Sequence, residues 1–317
     1  MSGGGLTRLT LAAAERSGGF ALARRLTARP ARIVMYHHFS AAAPAPPGRT
    51  AAHTFRQQLR HLRRHFRPVR LIDLARRLAA GEAPEAGSVA ITVDDGHANF
   101  LRVAEPILRE FDVPATLFVL SQRSNSGEWL WVDKWEYLRQ HADSGPRLTE
   151  LRHMPPADRD HCLAAHARHL GVALPERPPP AYELVSWDEL KRALHGGLVD
   201  VGSHTRTHRI LADAGRDEAW REIDGSKREL EQRLGVEVAT FCFPNGHPAD
   251  YRAAQVEMAA RAGYACAVAA HFGFVTERSN RFALPRMGRV FGDLSSFRRD
   301  LDGPEYLWRR LRGQPVW

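Results

Sequence analysis

The chain reads as an α/β protein built from parallel β-α units. Two observations predict this class. Apolar runs of strand length alternate with helical patterns of about 10–18 residues, and the residues with chemical potential repeatedly fall just after the ends of those strands. That edge is where sites form in parallel barrels and open parallel sheets.

The elements follow in order. Residues 32–36 read as a strand. Residues 54–66 are helical, with Phe55, Leu59 and Leu62 on one face and Thr54 as the N-cap. A short helix covers 71–78. A buried strand, 88–93, ends in two acids. Residues 97–111 are helical, with Pro106 as an interior break. A strand covers 115–120, and a helix capped by Ser186 covers 187–195 and stops at Gly196-Gly197. The strand 199–202 delivers a histidine pair. A long helix, 217–234, ends at Gly235, followed by a strand at 238–243, a helix at 250–262 and a strand at 264–268.

Between residues 121 and 180 the alternation breaks down. Trp129, Trp131 and Trp135 lead a His-containing helical stretch that closes on Pro175, Pro178, Pro179 and Pro180. About 60 residues make a marginal core, so this reads as an insertion in a strand-to-helix loop, spanning about residues 121–185. Trp131 and its neighbours form either a platform for sugar rings or the apolar face of a packed helix.

Composition bounds the remaining classes. At 317 residues, 44% hydrophobic and 26% charged, the chain can bury a large core. The net charge of +9 comes almost wholly from arginine, the lysines being only Lys134, Lys191 and Lys227. The basic residues are spread along helices with no dense tail, so no nucleic-acid partner is expected. Cys162, Cys242 and Cys266 show no paired spacing, which favours a reducing compartment. No stretch reaches the length of a membrane span. Residues 6–26 are apolar but interrupted by Arg8, Glu15, Arg16, Arg24 and Arg25, which breaks the pattern of a secretory signal. Residues 1–30 are therefore expected to form an amphipathic arm that packs on a domain spanning 31–317 or lies on a membrane surface. A cytoplasmic location with peripheral membrane contact is the expectation, and the oligomeric state is left open.

Three segments carry the chemistry. Ile91-Thr92-Val93-Asp94-Asp95-Gly96 places adjacent acids at a strand end; His204 and His208 stand four apart in Gly202-Ser203-His204-Thr205-Arg206-Thr207-His208; Phe241-Cys242-Phe243-Pro244-Asn245-Gly246 ends another apolar run. Two histidines and a carboxylate are a common ligand set for a hydrolytic metal, with coordination positions left for water and substrate. A second carboxylate beside them can act as a base. Adjacent carboxylates repel unless a positive charge lies beside them, and a divalent cation supplies one.

On these motifs the chain resembles the polysaccharide deacetylases of the NodB-homology type, the fourth carbohydrate esterase family. Thr92-Val93-Asp94-Asp95-Gly96 matches the T-F-D-D-G motif and His204-Thr205-Arg206-Thr207-His208 matches H-[ST]-x-x-H; Pro244-Asn245-Gly246 matches the end of the third motif. The resemblance covers roughly residues 31–290. It implies a distorted (β/α)7 barrel, Asp94 as general base, Asp95, His204 and His208 as ligands of a divalent metal, by default zinc, and the N–H of Asn245 as an oxyanion donor. Cys242 stands where the family's third motif usually carries an arginine, and Arg286 is the substitute of choice. The usual C-terminal histidine segment is missing. Instead Tyr36-His37 follows the first strand, resembling the circularly permuted branch that includes poly-N-acetylglucosamine deacetylases. That makes His37 the general acid, with His271 as the alternative, and expects His38 to lean away and tolerate substitution. Tyr36, Pro244 and Trp131 are expected to support or contact substrate. The implied reaction is hydrolysis of an N-acetyl group from an acetamido sugar in a polysaccharide or glycan precursor. Another metal-dependent C–N or ester hydrolase and a non-catalytic glycan-binding relative are the competing readings.

Overall fold

A computed structural model describes residues 15, 17–122, 127–142, 144–288 and 290–316. Helix α1 (Gly19–Leu26) leads into β1 (Arg32–Tyr36), a short parallel pair β2 (His38–Ser40) and β3 (Arg49–Ala51), and α2 (Ala52–His65). Strand β4 (Arg67–Pro68), α3 (Leu71–Ala79) and β5 (Ser88–Val93) follow. A wide π-type turn over Phe100–Ala104 runs into α4 (Glu105–Phe111), then β6 (Ala115–Val119). Helices α5 (Trp131–Arg139), α6 (Leu148–Arg152) and α7 (Pro156–Leu170) come next, then α8 (Trp187–His195) and β7 (Val199–Ser203). The chain continues through α9 (Arg216–Trp220), a second π-type turn, α10 (Ser226–Leu234), β8 (Thr240–Cys242), α11 (Ala253–Arg261), β9 (Cys266–Val268), α12 (Leu294–Leu301) and α13 (Pro304–Leu311). Among the described residues, no helix is long and apolar enough to cross a membrane.

Six strands pair in parallel in the order β1-β5-β6-β7-β8-β9, with β4 added along β5. The sheet curls into a distorted barrel. The segment carrying Leu284 and Met287 bonds to both of its ends: Ala269 N–H donates to Leu284 O, and Met35 N–H donates to Met287 O. All six residues of β5 are buried, as expected for a strand covered on both faces. The register aligns the strand ends: Tyr36 pairs with Val93, Val93 with Leu117, Val119 with Ser203, and Ser203 with Phe241. The loops after β1, β5, β7, β8 and β9 therefore all leave from one rim.

Several local expectations change. The helix expected from Thr54 starts at Ala52, with Ala51 in extended conformation as its cap. Residues 97 and 98 are not helical. Pro106 sits at the start of α4, where its missing N–H leaves no broken bond, and the π-type turn precedes it. Ser186 does cap α8, its hydroxyl accepting from Glu189 N–H while Glu189 reaches back. Strands expected at 238–243 and 264–268 shrink to three residues each, since pairing, rather than apolar content, sets their length.

The segment between β6 and α8 builds a small core of its own from Trp131, Leu138, Leu151, Leu163 and Ala167. The first 14 residues and Arg16 lie outside the described residues. Of the expected arm, α1 packs through Phe20 and Ala23 against α12 and α13.

Gly202 precedes the histidine pair inside the barrel. A Cβ there would press into the Phe118 ring and lie 2.6 Å from Thr240 Oγ1. Gly202→Ala is expected to cost about 1–3 kcal/mol of stability through overpacking, read as a lower urea midpoint. An unchanged midpoint would mean that this layer of the barrel has room to spare.

Candidate active site

The ends of β1, β5, β7 and β8 contribute side chains to one cluster, buried except for His37. Asp95 and Gly96 follow β5 in the left-handed region, with φ of 71° and 74°. The Asp95 carboxylate faces the two histidines. Its Oδ1 lies 3.3 Å from His204 Nε2 and 3.3 Å from His208 Nε2. The three side chains are buried, and their ligand atoms lie within 4.8 Å of one another.

This donor set fits a divalent ion. Bonds of about 2.0–2.1 Å to a tetrahedral ion set neighbouring donors about 3.3–3.4 Å apart, the spacing seen here. His204 is oriented from behind, its Nδ1–H donating to Cys242 O at 2.9 Å, so that Nε2 faces the cluster. Burial raises the Asp95 pKa, but hydrogen bonding to the two imidazoles outweighs it and holds the carboxyl well below the usual carboxylate range.

Asp94 has a different partner. Arg286 donates to it bidentately, Nη1 to Oδ1 and Nη2 to Oδ2, each at 2.7 Å. Both residues are buried, so this is no surface salt bridge. Burial again pushes the Asp94 carboxyl up, and the guanidinium reverses that and keeps it ionised. Arg286 Nη2 also lies 3.2 Å from Cys242 Sγ, and its Nε–H donates to Ala269 O. The arginine absent at position 242 is thus replaced in space by one 44 residues later, and the small Cys242 side chain leaves room for it.

His37 follows β1 with its Nε2 3.8 Å from Asp94 Oδ2, and its side chain is one-third exposed. His271 is enclosed, within reach of the Tyr251 hydroxyl at 3.4 Å, and burial pushes its pKa down to about 4. Asn245, at φ 56°, sits on the same rim, and its N–H donates to no group among the described residues. Pro244 is buried beneath it and accepts from Gly246 N–H.

Three expectations change here. Tyr36 points into the core, its hydroxyl donating to Gln58 at 2.9 Å, and does not face the rim. Trp131 is not a sugar platform. It is 5% exposed, belongs to the core of the 121–185 segment and lies under the Arg159 guanidinium at 4.4 Å. Trp129 and Trp135 likewise spend their N–H groups on Pro175 O and Pro146 O. His38 leans away from the rim as expected, but into a buried cluster where substitution has consequences.

That cluster was not legible beforehand. Asp133, from α5, receives His97 Nε2–H at 2.9 Å and faces His38 Nε2 at 3.6 Å, while the two imidazole centroids lie 3.7 Å apart with the rings tilted by 39°. Burial would lower the His97 pKa; Asp133 reverses this and raises it, whereas burial beside His97 pushes His38 to about 4. These are metal-ligand types; the 2.9 Å contact is a charge-assisted hydrogen bond, while His97 Nδ1 and Asp133 Oδ1 are buried without a hydrogen-bond partner among the described residues. Asn99 completes the brace by accepting from Phe39 N–H. Glu222 was also missed. It accepts from the N–H groups of Arg206 and Thr207 at 2.9 and 3.0 Å and from the Thr207 hydroxyl at 2.9 Å, which fixes the loop between the two histidines. Nothing local in its helical sequence signals this.

Removing the counter-charge of Asp94 has a clear expected outcome. Arg286→Gln leaves a buried carboxylate unpaired and should cost about 3–5 kcal/mol, with the Asp94 pKa raised. Arg286→Lys keeps the charge without the fork and should fall in between. Denaturant melts of the three proteins check the order; equal stability of the Gln variant would deny the pair its structural weight.

A family model described as polysaccharide deacetylase matches residues 81–267. No curated protein matches the chain. Among solved structures, the deacetylase PplD of Streptococcus pyogenes, in complex with acetate, is similar at 19% identity and TM-score 0.61, covering 86% of this chain and 98% of that one. IcaB from Ammonifex degensii is similar at 18% identity and TM-score 0.58, over 82% and 91%. A de-N-acetylase from Aggregatibacter actinomycetemcomitans is similar at 14% and 0.59, over 85% and 98%. At these identities the likeness to the solved structures is one of fold. With its family model spanning more than half of the sequence, the chain belongs to the polysaccharide deacetylase family, hydrolases of the N-acetyl amide bonds of carbohydrates.

Proposed function

We propose that the protein removes an N-acetyl group from an acetamido sugar of a polysaccharide or glycan precursor and releases acetate. The observation that carries this reading is one rim holding two adjacent carboxylates in different environments, Asp95 among imidazoles and Asp94 gripped by Arg286, with His37 beside them.

Asp95, His204 and His208 hold a divalent ion, zinc by their donor types. Such an ion, when bound, supplies Lewis-acid polarisation of the acetyl carbonyl and acidifies water. Asp94, kept ionised by Arg286, accepts the proton of the attacking water. The N–H of Asn245 donates to the oxyanion of the tetrahedral intermediate. His37, in its protonated form, gives a proton to the sugar nitrogen, which otherwise would leave as an amide anion. Its exposure at the rim suits that role, while the enclosed His271, with its lowered pKa, is poorly protonated near neutrality. Acetate release from chito-oligomers, set against release from simple acetyl esters and hydrolysis of ureides, tests the reading. Turnover of esters or ureides alone would favour a different hydrolase on the same fold.

Asp94→Asn should lower turnover by roughly 10²–10⁴ while metal binding stays largely intact, because the amide accepts no proton and the ligand trio is untouched. Metal content of the purified variant and acetate release check both halves. Loss of metal instead would exchange the roles of the two acids.

His37→Ala should lower kcat strongly on an amide substrate and much less on an activated aryl acetate, whose phenolate departs without a proton. Parallel assays on the two substrates decide it. Equal losses would assign His37 a structural or metal-linked role.

A further inference from the structure

Among the described residues, four of the six large apolar side chains exposed to solvent stand on the two helices at the chain ends: Leu22 and Leu26 on α1, and Trp308 and Leu311 on α13. Leu311 is 83% exposed and Trp308 52%. The helices pack on each other, and Gly303 at the head of α13 sits against Thr27 at the tail of α1. Their inward faces are fully used. Phe20 and Ala23 are buried, and Tyr306 stacks on Phe274 at 4.2 Å.

The charges on these helices divide the same way. Arg24 pairs with Asp302, and Arg309 with Glu305. The outward Arg25, Arg29, Arg310 and Arg312 are exposed and have no ion-pair partner among the described residues. Arg312 lies over the Trp308 ring at 4.2 Å. In residues 17–29 and 303–316 the sole acid is Glu305, which Arg309 already holds. On α1 the spacing Leu22, Arg25, Leu26 keeps apolar and cationic groups on one stripe; Trp308, Leu311 and Arg312 do so on α13.

We propose that this face docks the protein on an anionic lipid bilayer. Leucine and tryptophan side chains gain by entering the headgroup-acyl boundary, and unpaired guanidinium groups beside them gain from lipid phosphates. A bilayer serves both at once. A second copy of the chain would set like charges face to face, and a nucleic acid would take the arginines while leaving the leucines in water. The sequence before α1 continues the composition with Leu6, Arg8, Leu9 and Leu11. The surface is independent of the catalytic reading and would bring a glycan-modifying enzyme to a membrane-held substrate.

Co-sedimentation of the full chain with vesicles tests it. Vesicles of phosphatidylcholine with about one-third phosphatidylglycerol should bind at least about tenfold more protein than pure phosphatidylcholine, and added salt should weaken binding. Leu22→Ser/Leu26→Ser/Leu311→Ser and Arg25→Glu/Arg29→Glu/Arg312→Glu should each abolish binding while leaving the thermal midpoint and any acetate release from soluble oligomers unchanged. No binding of the wild-type chain overturns the proposal, as does binding insensitive to both sets of substitutions. A dimer in light scattering that the leucine set dissolves would assign the face to a second copy instead. Retention of duplex DNA lost in the arginine set but kept in the leucine set would assign it to nucleic acid.

Discussion

The buried pair Arg286–Asp94 is the interaction on which the rest of the site depends. Arg286 lies on the segment that closes the barrel, hydrogen-bonded to β9 on one side, while its fork grips the carboxylate that ends β5. Two charges buried together are costly unless the geometry is excellent. Here both carboxylate oxygens, Thr92 Oγ1 and Cys242 Sγ take up the guanidinium protons. The same contact therefore closes the sheet, fixes the ionisation of Asp94 and leaves the adjacent Asp95 to turn toward the histidines.

Turning adjacent residues to opposite partners requires backbone that few side chains adopt. Asp95, Thr205, His208 and Asn245 all have positive φ. Such strain persists where the surroundings over-determine the conformation, and the surroundings are visible. Glu222 takes two backbone N–H groups and a hydroxyl of the histidine loop, and Thr205 Oγ1 accepts from His208 N–H. Cys242, through its carbonyl rather than its thiol, sets the ring of His204.

The segment between β6 and α8 contributes in a way its tryptophans do not suggest. Its aromatic residues fill its own small core. It meets the rim through the buried carboxylate of Asp133, shared by His38 and His97, and through backbone bonds such as Val185 N–H to Gly96 O and Ser121 N–H to Thr205 O. Those imidazoles stand next to His37 and two residues after Asp95, so the segment braces both loops from behind. Arg49, which pairs with Glu136 and lies over the Tyr182 ring, ties the same layers together.

The sequence by itself determined the parallel β-α architecture, most strand positions and the identity of the acid pair and histidine pair. These are written locally: a run of apolar residues makes a buried strand, a four-residue spacing brings two imidazoles to one side, and Ser186 with Glu189 starts a helix wherever it is placed. Asp94 and Asp95 were legible as a pair because both stand at one strand end. Arg286 was legible as a substitute because the motif lacked its arginine. Tertiary structure alone decided what those groups meet. The brace of Asp133 with His38 and His97 joins residues up to 95 positions apart, Glu222 reaches the histidine loop from a helix with no local mark, and Trp131 and Tyr36 are turned into cores by neighbours far along the chain. Local spacing fixes which face a side chain takes on its own element. The partner across that face, and whether water reaches it, depend on how distant elements pack, and no window of sequence contains both.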